Sequence, residues 1–271
     1  MLNLFNKVYK KLKKTLLKVE NKDEFPFGNF NQIKGKDHFP NFYSFNLEGK
    51  TIISPNEKMV PILYNHIFEK EIYKFKSKNN RPKIIDCGSN IGMAVLYWKK
   101  IFPNAEIVAF EPSKMNFKAL KFNIENNLFE NVNLVNAAVS TKSGKQEFTD
   151  NDAASGSLFL EKALHKKYEV NTVRLDIFLK EEIDFLKIDI EGEEINILDQ
   201  IENNLLNINN LFIEYHSFIN RPQKLSLFLA ALEKANFRYY IEGEYTNKAP
   251  LFNDHIKLQQ DLQVAIWAKK Y

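Results

Sequence analysis

Cysteine is almost absent from this sequence of 271 residues: Cys87 is the only one, and a single cysteine excludes an internal disulfide framework. Long apolar runs are also missing, because Lys, Glu, Asp or Asn interrupts every hydrophobic stretch before the ~18 residues that a membrane-spanning helix needs. The opening residues, MLNLFNKVYKK, lack the apolar core of a secretory signal. We therefore expect a cytoplasmic protein.

The chain has no large excess of either charge. Its 38 basic and 34 acidic residues leave a net charge of +4. A dedicated nucleic-acid binder presents a concentrated positive surface to phosphates, so we expect no nucleic-acid partner. Hydrophobic residues make up 44% of the chain, which suffices for one substantial core but not for two full-sized domains. We predict an N-terminal extension, residues 1–80, and one main domain, residues 81–271.

The first 20 residues have the pattern of a basic amphipathic helix. Apolar side chains recur at helical spacing from Phe5 to Val19, and lysines occupy the remaining surface between Lys7 and Lys18. Two interpretations stay open. One is a peripheral contact with the inner face of a membrane, whose anionic lipids attract basic residues. The other is a terminal helix with solvated lysines.

The rest of the extension predicts a hairpin followed by a helix. Phe42–Leu47 and Thr51–Ile53 are strand-like and flank a turn at Gly49. Met59–Phe75 has a helical pattern, and Pro82 then breaks the chain before the main domain begins.

Beyond Pro82, predicted strands alternate with predicted helices. The strands are 83–87, 106–110, 132–138, 185–190, 211–215, 238–241 and 262–268, and the helices are 92–102, 116–126, 193–203 and 223–236. Such alternation is typical of βαβ units, and it predicts a Rossmann-like, doubly wound α/β fold with a mostly parallel seven-stranded sheet. Residues 141–174 depart from it and predict an inserted antiparallel ribbon at the mouth of the site.

A candidate cofactor loop lies between the first predicted strand and its helix. Gly88 and Gly92 stand where the backbone must turn or approach a ligand closely. The segment is not the dinucleotide fingerprint G-x-G-x-x-G, because Asn90 occupies one glycine position. A glycine-lined turn without a ligand is the alternative interpretation.

Three acids are predicted to gather at one edge of the sheet. Asp86, Glu111 and Asp189 end three of the predicted parallel strands, and open α/β sheets bind ligands at that edge. Glu111 follows the loop at about the distance of an acid that binds ribose hydroxyls. An acidic crevice attracts the sulfonium and ammonium of S-adenosylmethionine and repels a pyrophosphate, so charge favours this methyl donor over NAD.

These motifs resemble the FkbM family of S-adenosylmethionine-dependent methyltransferases, over residues 86–216. The matching elements are DCGSNIG, AFEPS, LVNAAVS, the Gly-Ser-Leu at 156–158, LKIDIEGEE and IEYH. Ser89 is a mild departure, since the family usually has a smaller residue such as Ala there. The resemblance implies a sheet of the class I methyltransferase type.

The resemblance also implies roles for individual residues. Around the methionine portion of the cofactor it puts four residues: Asp86, Gly88, Asn90 and Gly92. Glu111 would hold the ribose, and Asn136 and Ala137 would lie beside the adenine. For Asn136 a turn residue after a strand is an equal alternative.

On the acceptor side, strand alternation puts Asp189 and Glu191 together, next to the expected methyl group. Members of the family are usually O-methyltransferases that often act on sugars, and a sugar hydroxyl needs a base. His216 is the candidate base, oriented by Glu214; a structural histidine is the alternative. These four residues could instead hold Mg²⁺ or Mn²⁺, although their spacing is not diagnostic of a metal and we predict none.

The sequence thus favours an O-methyltransferase acting on a sugar or glycan precursor, as in polysaccharide biosynthesis. Two alternatives remain: an NAD-type oxidoreductase on the same fold, and a membrane-associated scaffold without turnover, which only the basic helix suggests.

Overall fold

The computed structural model describes residues 31–32, 42–150, 156–157, 166–246, 251–252 and 260–270. The predicted basic helix at residues 1–20 lies outside these ranges. The strands, in chain order, are β1 (Asn31–Gln32), β2 (Tyr43–Leu47), β3 (Lys50–Ser54), β4 (Lys83–Cys87), β5 (Glu106–Phe110), β6 (Val132–Val135), β7 (Ala138–Val139), β8 (Gly144–Asp150), β9 (Gly156–Ser157), β10 (Lys166–Val173), β11 (Ile183–Ile188), β12 (Ile208–Phe218), β13 (Arg238–Thr246) and β14 (Gln260–Lys269).

The α-helices are α1 (Met59–Tyr64), α2 (Met93–Ile101), α3 (Lys114–Glu125), α4 (Leu198–Glu202) and α5 (Leu225–Lys234). A π-helical turn, Asn65–Glu69, continues α1, and two 3₁₀ turns cover Leu175–Phe178 and Leu205–Asn207. In the described ranges, no helix has the length and apolar character to cross a bilayer.

Seven strands form the central sheet, in the order β13-β14-β12-β11-β4-β5-β6. The strands from β12 to β6 pair in parallel, and β14 pairs antiparallel with both β12 and β13. The chain winds outward from β4 through β5 to β6 and then returns to β11 on the other side of β4. This is the Rossmann-like topology of class I methyltransferases, and it confirms the predicted fold. The reversal puts a crevice at the carboxyl ends of β4 and β11.

Hydrophobic layers cover both faces of the sheet, which explains why the central strands are apolar throughout. Every residue of β11 is buried, as expected for a parallel strand flanked on both sides. One layer contains α2, α3 and the β2–β3 hairpin, and the other contains α4 and α5. The first layer is continuous from the hairpin to the central strands, so the predicted boundary at residue 80 crosses a shared core.

Two predicted helices are shorter than expected. The helix predicted at 59–75 ends with the π-helical turn, because Glu71 has a left-handed backbone with φ of 54°. The residues that follow accept hydrogen bonds from two indoles: Trp98 Nε1 donates to the Tyr73 carbonyl at 3.1 Å and Trp267 Nε1 to the Ile72 carbonyl at 2.7 Å. The helix predicted at 193–203 is helical only in α4, and turns precede it.

The insertion forms a second small sheet, in the order β7-β10-β8-β9. The long β8–β10 pair is antiparallel, as the ribbon prediction requires. The strand predicted at 132–138 is divided, since β6 ends at Val135 and β7 pairs with β10 in the second sheet. Phe148 of β8 is buried and reaches the central crevice. The second sheet therefore borders the predicted site.

One buried asparagine joins the hairpin to the cofactor loop. Asn123 of α3 is fully buried, its Oδ1 accepts from the Ile53 amide at 2.7 Å, and its Nδ2 donates to the carbonyls of Ile53 and Ile91 at 3.0 and 2.8 Å. Three backbone groups from two separate segments thus depend on this side chain.

We expect Asn123→Ala to lower the free energy of unfolding by about 2–4 kcal/mol, because it leaves buried backbone groups without partners. Urea denaturation of the full chain measures this effect. Asn126→Ala is the matched control, since Asn126 is exposed at the end of the same helix. Equal stabilities for the two variants would contradict the bridging role.

Candidate active site

A crevice opens at the carboxyl ends of β4, β5 and β11, where the topology predicts a ligand. The space inside it that a water-sized molecule can occupy is about 60 Å³, so the crevice is narrow beside typical ligand pockets. Its lining residues are Gly88, Asn90, Phe110, Glu111, Pro112, Asn116, Ala137, Ala138, Val139, Phe148, Asp189, Ile190 and Glu191. Two larger grooves lie at the opposite edge, near the amino ends of the strands, where open α/β sheets do not bind their ligands.

The loop from Gly88 to Gly92 requires both glycines. Gly88 has φ of 86°, and a Cβ there would collide with the carbonyl oxygen of Asp189. Gly92 has φ of 88°, and a Cβ there would stand 2.7 Å from Leu120 Cδ1. Gly88 lines the crevice, whereas Gly92 lies behind it as the N-cap of α2. The first glycine thus permits close approach of β11, and the second permits packing of α3.

Glu111 is held in place in the wall of the crevice. Its Oε2 accepts from the Asn90 amide and its Oε1 from the Ser113 amide, both at 2.8 Å. The side chain is buried but lines the crevice. A carboxylate oxygen held in this way can accept hydrogen bonds from hydroxyl groups. The arrangement suits an acid that also binds hydroxyl groups of a ligand.

The two residues expected beside adenine have different positions. Ala137 lines the crevice. Asn136 does not, because its amide donates to the Glu111 carbonyl at 2.8 Å and to the Pro112 carbonyl at 3.3 Å. Asn136 therefore supports the backbone that carries Glu111, which agrees with the alternative interpretation of a turn residue.

A buried lysine on β11 connects Asp86 to Asp189. Lys187 Nζ lies 3.3 Å from Asp86 Oδ1 and 3.4 Å from Asp189 Oδ2, and it donates to the Gly88 carbonyl at 2.9 Å. Burial alone would lower the pKa of Lys187, but the two carboxylates outweigh it and raise the pKa well above its usual value. Lys187 therefore stays charged at neutral pH.

Lys187 changes the expected electrostatics of the edge. Asp86 is fully buried and does not line the crevice. The family resemblance implied instead that it lies beside the methionine portion of the cofactor. Burial raises its pKa, and Lys187 opposes that rise. Of the three acids expected to face the cofactor, Glu111 and Asp189 line the crevice, while Asp86 serves as counter-ion to the lysine. The crevice is consequently less acidic than three carboxylates alone would make it.

His216 is buried within a group of acids beside the crevice. Its Nδ1 lies 3.1 Å from Glu194 Oε1, and its Nε2 faces Glu214 at 3.6 Å and Glu191 at 3.7 Å. Glu194 is fully buried and also accepts from the Ile190 and Gly192 amides, each at about 3.1 Å. The hydrogen-bond partner of His216 is thus Glu194, whereas Glu214, which was expected to orient it, faces Nε2 without a hydrogen bond.

The acids control the protonation of this group. Burial would lower the pKa of His216, but Glu194, Glu191 and Glu214 outweigh it and raise the pKa well above its usual value. Burial and the nearby Asp189 raise the pKa of Glu214 to about 8. His216 therefore carries a proton at neutral pH in the absence of a ligand, so it cannot accept one as a base in that state.

Residues 86–239 match the family model described as the methyltransferase FkbM domain. The chain belongs to the FkbM methyltransferase family. Among its relatives, methyltransferase sdnD of Sordaria araneosa is 27% identical over 176 residues, covering 52% of this chain and 68% of the relative. Methyltransferase 1 of Beauveria bassiana is 26% identical over 164 residues, covering 51% and 66%.

A solved structure, methyltransferase FkbM from Methylobacillus flagellatus KT, matches with 14% identity and a TM-score of 0.48. The match covers 75% of this chain and 47% of that one. This FkbM chain thus spans about half the length of that structure. Membership in a methyltransferase family disfavours the NAD-type oxidoreductase that the sequence left open.

Sequence reasoning missed Lys187 and Glu194. For Lys187 a signal was present, since a lysine between Leu186 and Ile188 in a buried strand of the FkbM domain requires a counter-ion. For Glu194 the motif gave only a run of acids, and no spacing rule identifies the one that folds back toward His216.

We expect Lys187→Met to lower the free energy of unfolding by about 3–5 kcal/mol, because it leaves buried carboxylates without their counter-ion. Without Lys187, which opposes the effect of burial, the folded-state pKa of Asp86 rises still further above its unfolded value. A raised pKa stabilises the folded state at acidic pH, and this stabilisation is lost as the pH rises. The free energy of unfolding of Lys187→Met should therefore fall short of the wild-type value by less at about pH 5.5 than at about pH 8.

Urea denaturation at both pH values measures the deficit. Lys99→Met is the matched control: Lys99 is also buried, but its Nζ donates to the carbonyls of Pro103 and Ala105. The loss in free energy of unfolding caused by Lys99→Met should be the same at the two pH values. A pH-independent deficit for Lys187→Met would contradict the ion-pair assignment.

Proposed function

We propose that this FkbM-family protein transfers the methyl group of S-adenosylmethionine to a hydroxyl oxygen of a sugar or glycan-type acceptor. One observation carries the proposal: the crevice at the carboxyl edge is lined both by Glu111, which two backbone amides hold in place, and by Asp189 and Glu191. Glu111 suits ribose hydroxyls, and the carboxylates of Asp189 and Glu191 suit a cationic sulfonium next to a hydroxyl group.

The cofactor contacts follow from the lining of the crevice. Glu111 accepts hydrogen bonds from both ribose hydroxyls. Gly88 and Asn90 form the wall beside the methionine portion, and Ala137 leaves space for the flat adenine. Asp86 and Gly92 act indirectly, since the first fixes Lys187 and the second positions α2.

The transfer is an in-line displacement at the methyl carbon. The acceptor oxygen must stand ~3 to 3.5 Å from that carbon and must lose its proton as the bond forms. Glu191 lines the crevice and is a suitable base, whereas His216 already carries a proton. His216 at 3.7 Å favours the ionised form of Glu191.

The acceptor class follows from the acidic side chains of the crevice. Asp189 and Glu191 are carboxylates that line the crevice, each with about a fifth to a quarter of the side chain exposed. Carboxylates accept hydrogen bonds from several hydroxyl groups at once and repel anionic acceptors. A neutral, polyhydroxylated acceptor therefore fits, and the family resemblance to sugar O-methyltransferases agrees. Contact of residues 1–20 with a membrane stays a prediction.

We expect isothermal titration calorimetry to show binding of S-adenosylmethionine to the full chain, weakened roughly tenfold to a hundredfold in Glu111→Gln. The Gln amide cannot accept both from the backbone amides and from ribose. Glu106→Gln is the control, because Glu106 lies at the other end of the same strand and pairs with Arg81. Thermal melting of each variant checks folding. No binding to the wild type at millimolar cofactor would exclude the proposal.

The atom that is methylated is tested with S-adenosylmethionine carrying a ¹³C-methyl group and a cell extract of glycan precursors. The carbon chemical shift of the new methyl separates an oxygen from a nitrogen or carbon acceptor. A product methylated on nitrogen or carbon would leave the family assignment intact and refute O-methylation.

A further inference from the structure

Three potential metal ligands converge on the acceptor side of the crevice. One ligand atom each from Asp189, Glu214 and His216 lies within 4.8 Å of the other two. A six-coordinate cation with bonds of about 2.1 Å separates neighbouring ligands by about 3 Å and opposite ligands by about 4.2 Å. The three atoms are therefore close to the spacing that such a cation needs, and small side-chain rotations complete it.

The buried imidazole has the arrangement of a metal ligand. The His216 side chain is 2% exposed, and its Nε2 makes no hydrogen bond within the described part of the chain, since the nearest carboxylate oxygens are at 3.6 and 3.7 Å. Its Nδ1 bonds to the fully buried Glu194. A carboxylate behind a histidine fixes the tautomer in which the other nitrogen can bind metal, and such pairs are typical of metal sites.

The loop around Glu194 holds this carboxylate in place behind His216. Its oxygens accept from the Ile190 and Gly192 amides. Two residues of this loop have left-handed backbone conformations: Glu191 with φ of 57° and Gly192 with φ of 106°. A Cβ on Gly192 would stand 2.7 Å from Phe218. The backbone thus encloses Glu194 on the Nδ1 side of His216, while Nε2 faces Glu214 and Glu191.

From these contacts we infer that Asp189, Glu214 and His216 bind a divalent cation of the Mg²⁺ or Mn²⁺ class. Two carboxylates and one imidazole suit Mn²⁺, and carboxylate oxygens also suit Mg²⁺. Three protein ligands leave coordination positions for water and for an acceptor oxygen. The local excess of acidic groups, which Lys187 and His216 only partly offset, supports a cation at this point.

The role of the cation rests on the proposed function. Bound next to the methyl group, it would coordinate the acceptor hydroxyl and lower the pKa of that group. Glu191, which is outside the ligand set, takes the proton. The carbon–sulfur bond breaks as the carbon–oxygen bond forms, and S-adenosylhomocysteine leaves with the electron pair of the broken bond on sulfur.

Electron paramagnetic resonance of free Mn²⁺ tests the site, because the signal falls as the ion binds. Full-length protein treated with EDTA and then freed of it is titrated with Mn²⁺ alone. We expect one saturable site, weakened about tenfold or more in His216→Ala and in Asp189→Asn. Asp199→Asn, which removes an exposed acid on α4, is the control and should bind as the wild type does.

Two results would overturn the site: no saturable binding to the wild type, or equal binding to the wild type and to both ligand variants. Asp189 is partly exposed, so its variant remains informative if His216→Ala fails to fold, as circular dichroism would reveal. Methyl transfer that persists in EDTA would overturn the role of the cation. Mn²⁺ binding without S-adenosylmethionine binding would support the site and count against the proposed function alone.

Discussion

The ammonium group of Lys187 holds the edge of the sheet together. It lies between a fully buried carboxylate on β4 and the carboxylate that follows β11, and it also donates to the Gly88 carbonyl. Two carboxylates this close would repel each other without a cation between them. With the cation in place, the ends of two strands and the start of the cofactor loop are joined at one point. Asn90 can then offer its amide to Glu111 from a fixed position.

Much of the fold could be predicted from the sequence, and the errors have a common cause. Hydrophobic runs and glycine positions gave the central strands, because a strand buried on both faces has little freedom in composition. The helix predicted at 59–75 failed beyond residue 69, where Glu71 has a left-handed backbone and two tryptophan indoles, Trp98 and Trp267, donate to the backbone carbonyls that follow. Their donors lie far along the chain, and local periodicity contains no information about such partners.

The candidate site could also be predicted only in part. Parallel strands bring their carboxyl ends to one edge, so the approach of Asp189 to Glu111 across one crevice follows from strand positions alone. The direction of each side chain does not follow. Asp86 points into the core, and His216 takes its partner from a loop with two left-handed residues. A motif records which residues are present, whereas left-handed backbone conformations decide which of the adjacent acids turns inward.

The Asn123 side chain has a consequence for how this chain can be divided. It satisfies backbone groups of the β3 strand and of the cofactor loop together, and the hydrophobic layer beneath it is shared. A cut after residue 80 would separate the cofactor loop from the β2–β3 hairpin and expose apolar surface to water. The hairpin is thus not an exchangeable module, and chimaeras that graft another protein's N-terminal segment onto this catalytic half would have to bring a matching strand with them.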